Sequence, residues 1–237
     1  MLLEFKPIDV FALLFFVFAW VSFQYGSTHR RWQKRTITYQ MYQYRIRWMK
    51  NMMRRDPVVP DILIQTSLQQ GVGFFASTSL IVIGALFAAL ASSEQALNIL
   101  KDFPFATQTT TAQWEFKVLM LVLMFVFAFF KFAWSLRLFN YVAILVGAAP
   151  GMSTDEDVKS EYAVRVARLH ALGASHFTAG LNAYFFALAA FTWFIGPWIF
   201  IIVTVWVTLV MYRRAFRSKF SRILAGEIGL GDYDLEG

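Results

Sequence analysis

Long apolar stretches dominate the pattern of hydrophobic and polar positions along the chain, and polar segments separate all of them except the last two. A helix crosses the hydrocarbon core of a bilayer with about 20 predominantly apolar residues. The stretches predict transmembrane helices at about 8–25, 72–91, 114–136, 178–195 and 197–212. The fold class is therefore all-α, a polytopic helical membrane protein, and we expect residues 1–237 to form a single membrane domain.

The polar segments predict a helical layer on the cytoplasmic side of the membrane, made of residues 28–70 and 137–176 with the tail 213–237. The apolar residues of the first segment recur three or four residues apart, at Ile37, Met41, Tyr44, Trp48 and Met52. That spacing forms one face of a helix, so we expect an amphipathic helix at the membrane surface or against the other cytoplasmic helices.

A second amphipathic helix is expected between the third and fourth spans. Ser153 and Glu156 have the spacing of a capping box, which predicts the start of this helix, and Gly173 predicts its end. Asp9, near the start of the first span, is expected to reach water and to favour the N-terminus of that helix.

The last apolar run, residues 177–212, has Gly196-Pro197 at its middle and admits two interpretations, one kinked helix or a helical hairpin. Nine of the 22 Lys and Arg residues lie between the first two spans, and five more follow the last span. Cytoplasmic loops of membrane proteins carry an excess of Lys and Arg, so both clusters belong on one side. A hairpin turning at Gly196-Pro197 achieves this, with the N-terminus outside and the C-terminus in the cytoplasm. We expect the protein in the bacterial cytoplasmic (inner) membrane.

The cations of the first polar segment are expected to bind lipids, because anionic headgroups attract clustered Lys and Arg. They are Arg30, Arg31, Lys34, Arg35, Arg45, Arg47, Lys50, Arg54 and Arg55. The net charge of +7 could instead point to nucleic acid, but no nucleic-acid-binding motif accompanies it. We therefore expect no nucleic-acid partner.

The sequence offers no catalytic constellation. It contains no cysteine, no phosphate-binding glycine loop, no nucleophile elbow and no zinc motif. The three histidines lie outside the predicted spans, and His170 and His176, six residues apart, do not share a helical face. We therefore predict no catalytic, cofactor-binding or metal-binding residues, no cofactor and no enzymatic activity.

Small residues at helical spacing in the second span predict a helix-packing face, since they let helix backbones approach closely in lipid. They are Gly73, Ser77, Gly84 and Ala88. A pore lined by Ser77, Thr78 and Ser79 is the alternative interpretation of this part of the span.

Three further residues form a candidate intramembrane polar site. Asn182 is expected to make an interhelical hydrogen bond or to act in function, because an unpaired amide in lipid is costly. Lys131 falls near the inner boundary of the third span, where its side chain can extend toward the headgroups. Arg137 is expected on the part of the same helix that projects beyond the membrane.

Five short motifs occur in order along the chain: RIRWM at 45–49, DILIQTS at 61–67, RLFNY at 137–141, LNAYFF at 181–186 and WFIGPW at 193–198. Together they resemble the pattern of an uncharacterised bacterial and plant membrane family, domain of unknown function 599. The resemblance spans roughly residues 21–217 and implies a small multi-pass helical membrane protein. It implies no activity, cofactor or catalytic residue.

These features favour a non-enzymatic membrane protein that acts by association, as a homo-oligomer or as an accessory subunit of a membrane complex. Its expected partners are membrane lipids with anionic headgroups, and further copies of the chain or other membrane subunits. The alternative is an oligomeric channel or small-solute transporter, with an anion-attracting path lined by Ser77, Asn182, Lys131 and Arg137.

Overall fold

The computed structural model describes residues 5–26, 37–55, 58–95 and 110–216, and no strand occurs among them. The helices of the fold are α1 (Pro7–Gly26), α2 (Ile37–Met52), α3 (Val59–Ala91), α4 (Thr111–Gly147), α5 (Glu156–Phe191) and α6 (Pro197–Phe216), with a 3-10 turn, Thr192–Phe194, between α5 and α6.

Five of these helices are long and apolar enough to cross a membrane: α1, α3, α4, α6, and α5 together with the turn that follows it. The predicted fold class, a polytopic helical membrane protein, is therefore confirmed. The 33 residues of α3 and the 37 of α4 exceed what a single crossing needs. At about 1.5 Å per residue such helices are about 50 Å long or more, so each extends beyond a core of about 30 Å.

The centre of the bundle is the α4–α5 pair, and the other helices are arranged around it. The helix α3 packs on α4, α2 packs on α5, and α1 packs against α6. Aromatic rings fill the middle, where the fully buried ring of Phe132 on α4 contacts Phe75 of α3 and Phe177 and Tyr184 of α5. The middle of the bundle is thus held by ring packing between three helices.

The helices α5 and α6 form the predicted hairpin, and the chain turns at Gly196-Pro197. Near the turn, the Trp193 ring stacks on Phe200 with centroids 5.2 Å apart. Far from the turn, the Arg214 guanidinium lies 5.9 Å from the centre of the Phe185 ring. These two contacts place the helices antiparallel, so the apolar run is a hairpin and not one kinked helix.

The predicted end of the second amphipathic helix at Gly173 is wrong, because α5 runs without interruption through this residue into the membrane segment. Glycine costs about 1 kcal/mol in a helix interior, and here it allows α4 to come close. A Cβ on Gly173 would lie 2.9 Å from Phe139 Cε1, and Ser135 Oγ donates to the Gly173 carbonyl at 2.8 Å. The predicted start at Ser153 also differs: Asp155 is the N-cap, and its carboxylate accepts from the Asp157 amide at 3.0 Å.

Replacing Gly180 by Ala should destabilise the bundle. A Cβ at this position would lie 2.5 Å from Phe132 Cε1, and that ring is held in place by Phe75, Phe177 and Tyr184. Overpacking of this kind costs about 1–3 kcal/mol. We expect a lower thermal unfolding midpoint in detergent.

The matched control is Gly71→Ala on α3, because no atom lies within 4 Å of the position that its Cβ would take. This variant should keep or slightly raise the midpoint, since Ala is the better helix former. Equal midpoints for the two variants would mean that the Phe132 ring has room to move.

Candidate functional site

Trp193, in the turn between α5 and α6, connects α1 and α4 to that turn. Its indole Nε1 donates to Asp9 Oδ1 on α1 at 2.9 Å, and its backbone carbonyl accepts from Lys117 Nζ on α4 at 3.1 Å. Trp193 is 1% exposed, Lys117 4% and Asp9 8%. We call the end of the bundle that holds these three residues the hairpin end.

The Trp193 carbonyl is available to Lys117 because of Pro197. In a continuing α-helix this carbonyl would accept from the N–H four residues later, but proline has no N–H. A buried carbonyl without a partner is costly, and the lysine ammonium supplies the missing donor. The contact therefore fixes the turn of the hairpin against α4.

The expectation that Asp9 reaches water is wrong. Its carboxylate is buried, bonds to the Trp193 indole and lies close enough to Lys117 for charge attraction. The Phe5 ring stacks on Trp193 with centroids 5.7 Å apart. A hydrogen bond and a nearby positive charge both stabilise a buried carboxylate, and Asp9 has the two of them.

A second polar cluster lies at the opposite end of the bundle, where the start of α3 meets α2, and we call this the α2 end. Asp61 Oδ1 accepts from Trp48 Nε1 at 2.6 Å and from an Arg55 guanidinium nitrogen at 3.2 Å. Asp61 is 2% exposed, whereas the Arg55 side chain is 47% exposed. The carboxylate thus joins α2, and the segment after it, to the first turn of α3.

His170 of α5 completes the α2 end. Arg45 Nε donates to His170 Nδ1 at 3.0 Å, and the imidazole lies against the rings of Trp48 and Phe139, with centroids 5.5 and 4.9 Å away. Because Nδ1 accepts, the proton of the neutral imidazole is on Nε2. Burial lowers the pKa of the Arg45 guanidinium, but this group stays charged at neutral pH. His170 is therefore a neutral acceptor for a partly buried cation.

The α2 end keeps hydrogen-bonding capacity that its helices do not use. Within the described ranges three of its buried atoms have no partner: Asp61 Oδ2, Gln65 Oε1 and His170 Nε2. Gln65 is nevertheless anchored, since its Nε2 donates to the Phe139 carbonyl at 3.1 Å. Among the residues that the structure describes, no group of three or more His, Cys, Asp or Glu side chains could hold a metal ion. In chemical terms, both polar clusters serve to join helices.

The structure does not bring together the four residues of the predicted anion path. Asn182 is 6% exposed inside the bundle, and its Nδ2 donates to Gln24 Oε1 on α1 at 3.5 Å. Lys131 Nζ lies 5.2 Å from the centre of the Phe127 ring. Arg137 is exposed and donates to the Tyr141 hydroxyl at 2.7 Å. Ser77, the fourth residue of the set, is exposed on α3. In the described part of the chain, no hydrogen bond, ion pair or ring contact joins any two of these four residues.

The predicted packing residues of α3 face away from the other described helices. Ser77, Gly84 and Ala88 are exposed, and no described atom lies within 4 Å of where a Cβ on Gly73 or Gly84 would be. The face that packs inside the chain is a different one, made of Val72, Phe75, Ser79 and Leu86. Ser79, one of the residues of the pore interpretation, donates to the Phe75 carbonyl and is bonded to the Tyr184 hydroxyl at 2.9 Å. Among the described helices of the chain, none covers this small-residue face.

The predicted lipid-binding cations fall partly outside the described residues, namely Arg30, Arg31, Lys34 and Arg35. Arg47 and Lys50 are exposed on α2. Arg54 is also exposed and forms a 2.7 Å ion pair with the first turn of α5. Arg45 and Arg55 bond to other helices as described above, so these two contribute to packing rather than to a free cationic surface.

Sequence reasoning missed Lys117, Trp193, Asp61 and Gln65 as buried polar residues. A signal was present for Lys117, because a lysine three residues inside a predicted span requires a partner. Pro197 gave a second signal, since the proline leaves one carbonyl of the preceding turn without its helical donor. Neither signal indicates by itself that the Lys117 side chain reaches the Trp193 carbonyl.

The buried polar clusters at both ends, the aromatic middle and the five apolar helices define a multi-pass helical membrane protein. The family model described as protein of unknown function, DUF599, matches residues 11–220. The chain belongs to this family, as the motif resemblance indicated. No curated protein and no solved structure matches the chain.

Replacing Lys117 by Met should destabilise the hairpin end. The change removes the donor to the Trp193 carbonyl and the positive charge near Asp9. An unsatisfied buried group costs about 1–3 kcal/mol, so we expect a clearly lower thermal unfolding midpoint in detergent.

Lys131→Met is the matched control, since it makes the same chemical change on the same helix at a position where the ammonium lies over the Phe127 ring. This variant should shift the midpoint much less. Equal shifts for the two lysines would contradict the role assigned to the Trp193 carbonyl.

Proposed function

We propose that this protein is a non-enzymatic membrane protein that acts by association, as a homo-oligomer or as an accessory subunit of a membrane complex. The observation that supports this is the position of α3. In the most apolar 18-residue stretch of α3, 11% of the residues are buried, against 44% for the corresponding stretches of α4 and α5. The helix α3 is therefore the least buried of the five apolar helices. A peripheral helix with a free small-residue face is suited to bind a helix of another protein.

The free face of α3 has the composition that membrane helix contacts favour. Lipid gives no hydrophobic drive for helices to associate, so close backbone approach and van der Waals contact matter most. Gly73 and Gly84 offer this approach because no described side chain occupies the space in front of them. The channel alternative requires Asn182 and Ser77 on one surface, yet one is buried in the bundle and the other exposed, so we favour association.

A bulky side chain on the small-residue face of α3 should weaken association. Gly84→Leu places a bulky side chain on the small-residue face, and we expect the associated fraction in native membranes to fall by about tenfold. The measurement is chemical crosslinking in membranes, followed by mass determination in mild detergent.

Ala85→Leu is the control, one residue further on the same helix, also exposed but off the small-residue face. It should leave the crosslinked fraction unchanged. A monomer in native membranes with no crosslinked partner, or equal effects of the two variants, would refute association through this face.

We further infer that the α2 end faces the cytoplasm in the bacterial inner membrane, with the N-terminus outside. Support comes from the charges, since α2 and its end carry Arg45, Arg47, Lys50, Arg54 and Arg55, and α6 ends with Arg213 and Arg214. The hairpin end holds Lys6 and Lys117. On this orientation the exposed cations of α2 lie where anionic headgroups are available as partners.

Single-cysteine variants test the orientation, because the chain has no cysteine of its own. Ser92→Cys at the end of α3 should react with a membrane-impermeant maleimide added to intact spheroplasts. Ser153→Cys before α5 should react only after permeabilisation. The reverse pattern would overturn the proposed topology.

A further inference from the structure

The helices α1 and α6 touch near the hairpin end and enclose a groove further along. They meet through Phe16 and Phe200, both buried, with ring centroids 5.0 Å apart. Beyond this contact, toward the α2 end, lies a groove of about 480 Å³ between Ala19 to Gly26 of α1 and Val205 to Tyr212 of α6. Its volume is within the range of about 300–1,000 Å³ that is typical of sites for small ligands.

The groove is lined by apolar side chains, among them Phe15, Phe18 and Phe23 of α1 and Val205 and Leu209 of α6. Thr208 also lines it, but its hydroxyl donates to the Thr204 carbonyl at 2.7 Å and so its proton is already used. Because both walls belong to membrane helices, the groove opens to hydrocarbon. These features select an acyl chain rather than a polar solute.

Arg213 stands at the end of the groove, whereas Arg214 lies on the side of α6 that faces α5. Arg213 and Arg214 follow the lining residue Tyr212 directly and are exposed. The Arg214 guanidinium is held over the Phe185 ring at 5.9 Å. Within the described ranges neither arginine forms an ion pair with a carboxylate. The charge of Arg213 is therefore available to an anion at the depth of the headgroups.

We propose that this groove binds one anionic phospholipid from the leaflet at the α2 end. One acyl chain lies between α1 and α6, and the phosphate pairs with Arg213. The apolar lining selects a lipid tail, and the exposed Arg213 guanidinium selects an anionic head, with which arginine can form bidentate hydrogen bonds. This site is separate from the exposed cations of α2 and goes beyond the association proposed above.

Native mass spectrometry of the full-length protein in detergent tests the site, with dioleoyl phosphatidylglycerol and dioleoyl phosphatidylcholine as the two probes. The first bound phosphatidylglycerol should be held about fivefold more tightly than phosphatidylcholine, because an arginine near the headgroup adds about 1 kcal/mol of attraction. Arg213→Gln should reduce this preference to about twofold or less. Arg165→Gln, which removes one exposed charge from α5, should leave it unchanged.

Variants that fill the groove distinguish a bound lipid from other occupants. Ser22→Trp and Leu209→Trp place a large ring in the groove from opposite walls, and both positions are exposed, so the bundle should still form. Each should weaken the binding of both lipids without changing the oligomeric mass. Equal binding of the two lipids to the unmodified protein, or loss of preference in the α5 control, would overturn the proposal. So would a groove-filling variant that lowers the oligomeric mass and leaves lipid binding intact, since the occupant would then be a second copy of the chain.

Discussion

The hydrogen bond from the Lys117 ammonium to the Trp193 carbonyl is the contact on which the arrangement of the membrane helices depends. Pro197 makes the hairpin and at the same time leaves that carbonyl without a helical donor. Lipid cannot supply one, so a side chain of another helix must do so. Lys117 fulfils this need from α4, and the Trp193 indole in turn binds Asp9 of α1. One turn thereby fixes α1, α4, α5 and α6 relative to one another.

Among the described residues, the buried charged groups lie at the ends of the bundle, and this distribution has a physical cause. Buried charges need several partners, and these are available where turns and helix ends leave backbone groups free. Asp61 at the α2 end and Asp9 at the hairpin end both occupy the first turn of a helix. The middle instead relies on Phe132 and its ring partners and on glycines that allow close approach. In the part of the chain that the structure describes, a bundle built in this way leaves few charged groups in its middle to line a path.

The sequence was sufficient to predict the helical class, the number of apolar helices and the hairpin, because bilayer thickness and the distribution of charge constrain these directly. It was not sufficient for the buried polar contacts. Trp193 meets residues 76 and 184 positions away along the chain, and one of the two contacts uses a backbone carbonyl that any residue type carries. Gly173 is a second example, because glycine is common at helix ends and the sequence alone predicted an end at this position. Its role is set by the Phe139 ring of another helix.

The two outward surfaces of the bundle differ in what they can bind, and the difference follows from their side chains. The small residues of α3 form a shallow face that a second helix can approach closely, but that offers no depth to a lipid chain. The groove between α1 and α6 has walls of large rings, which hold two helices apart and leave a volume that a flexible chain fills better than a rigid helix. The two surfaces share no residue. The proposed lipid site is therefore compatible with the proposed association through α3, and a lipid held by α1 and α6 would stabilise the same hairpin that Lys117 fixes from α4.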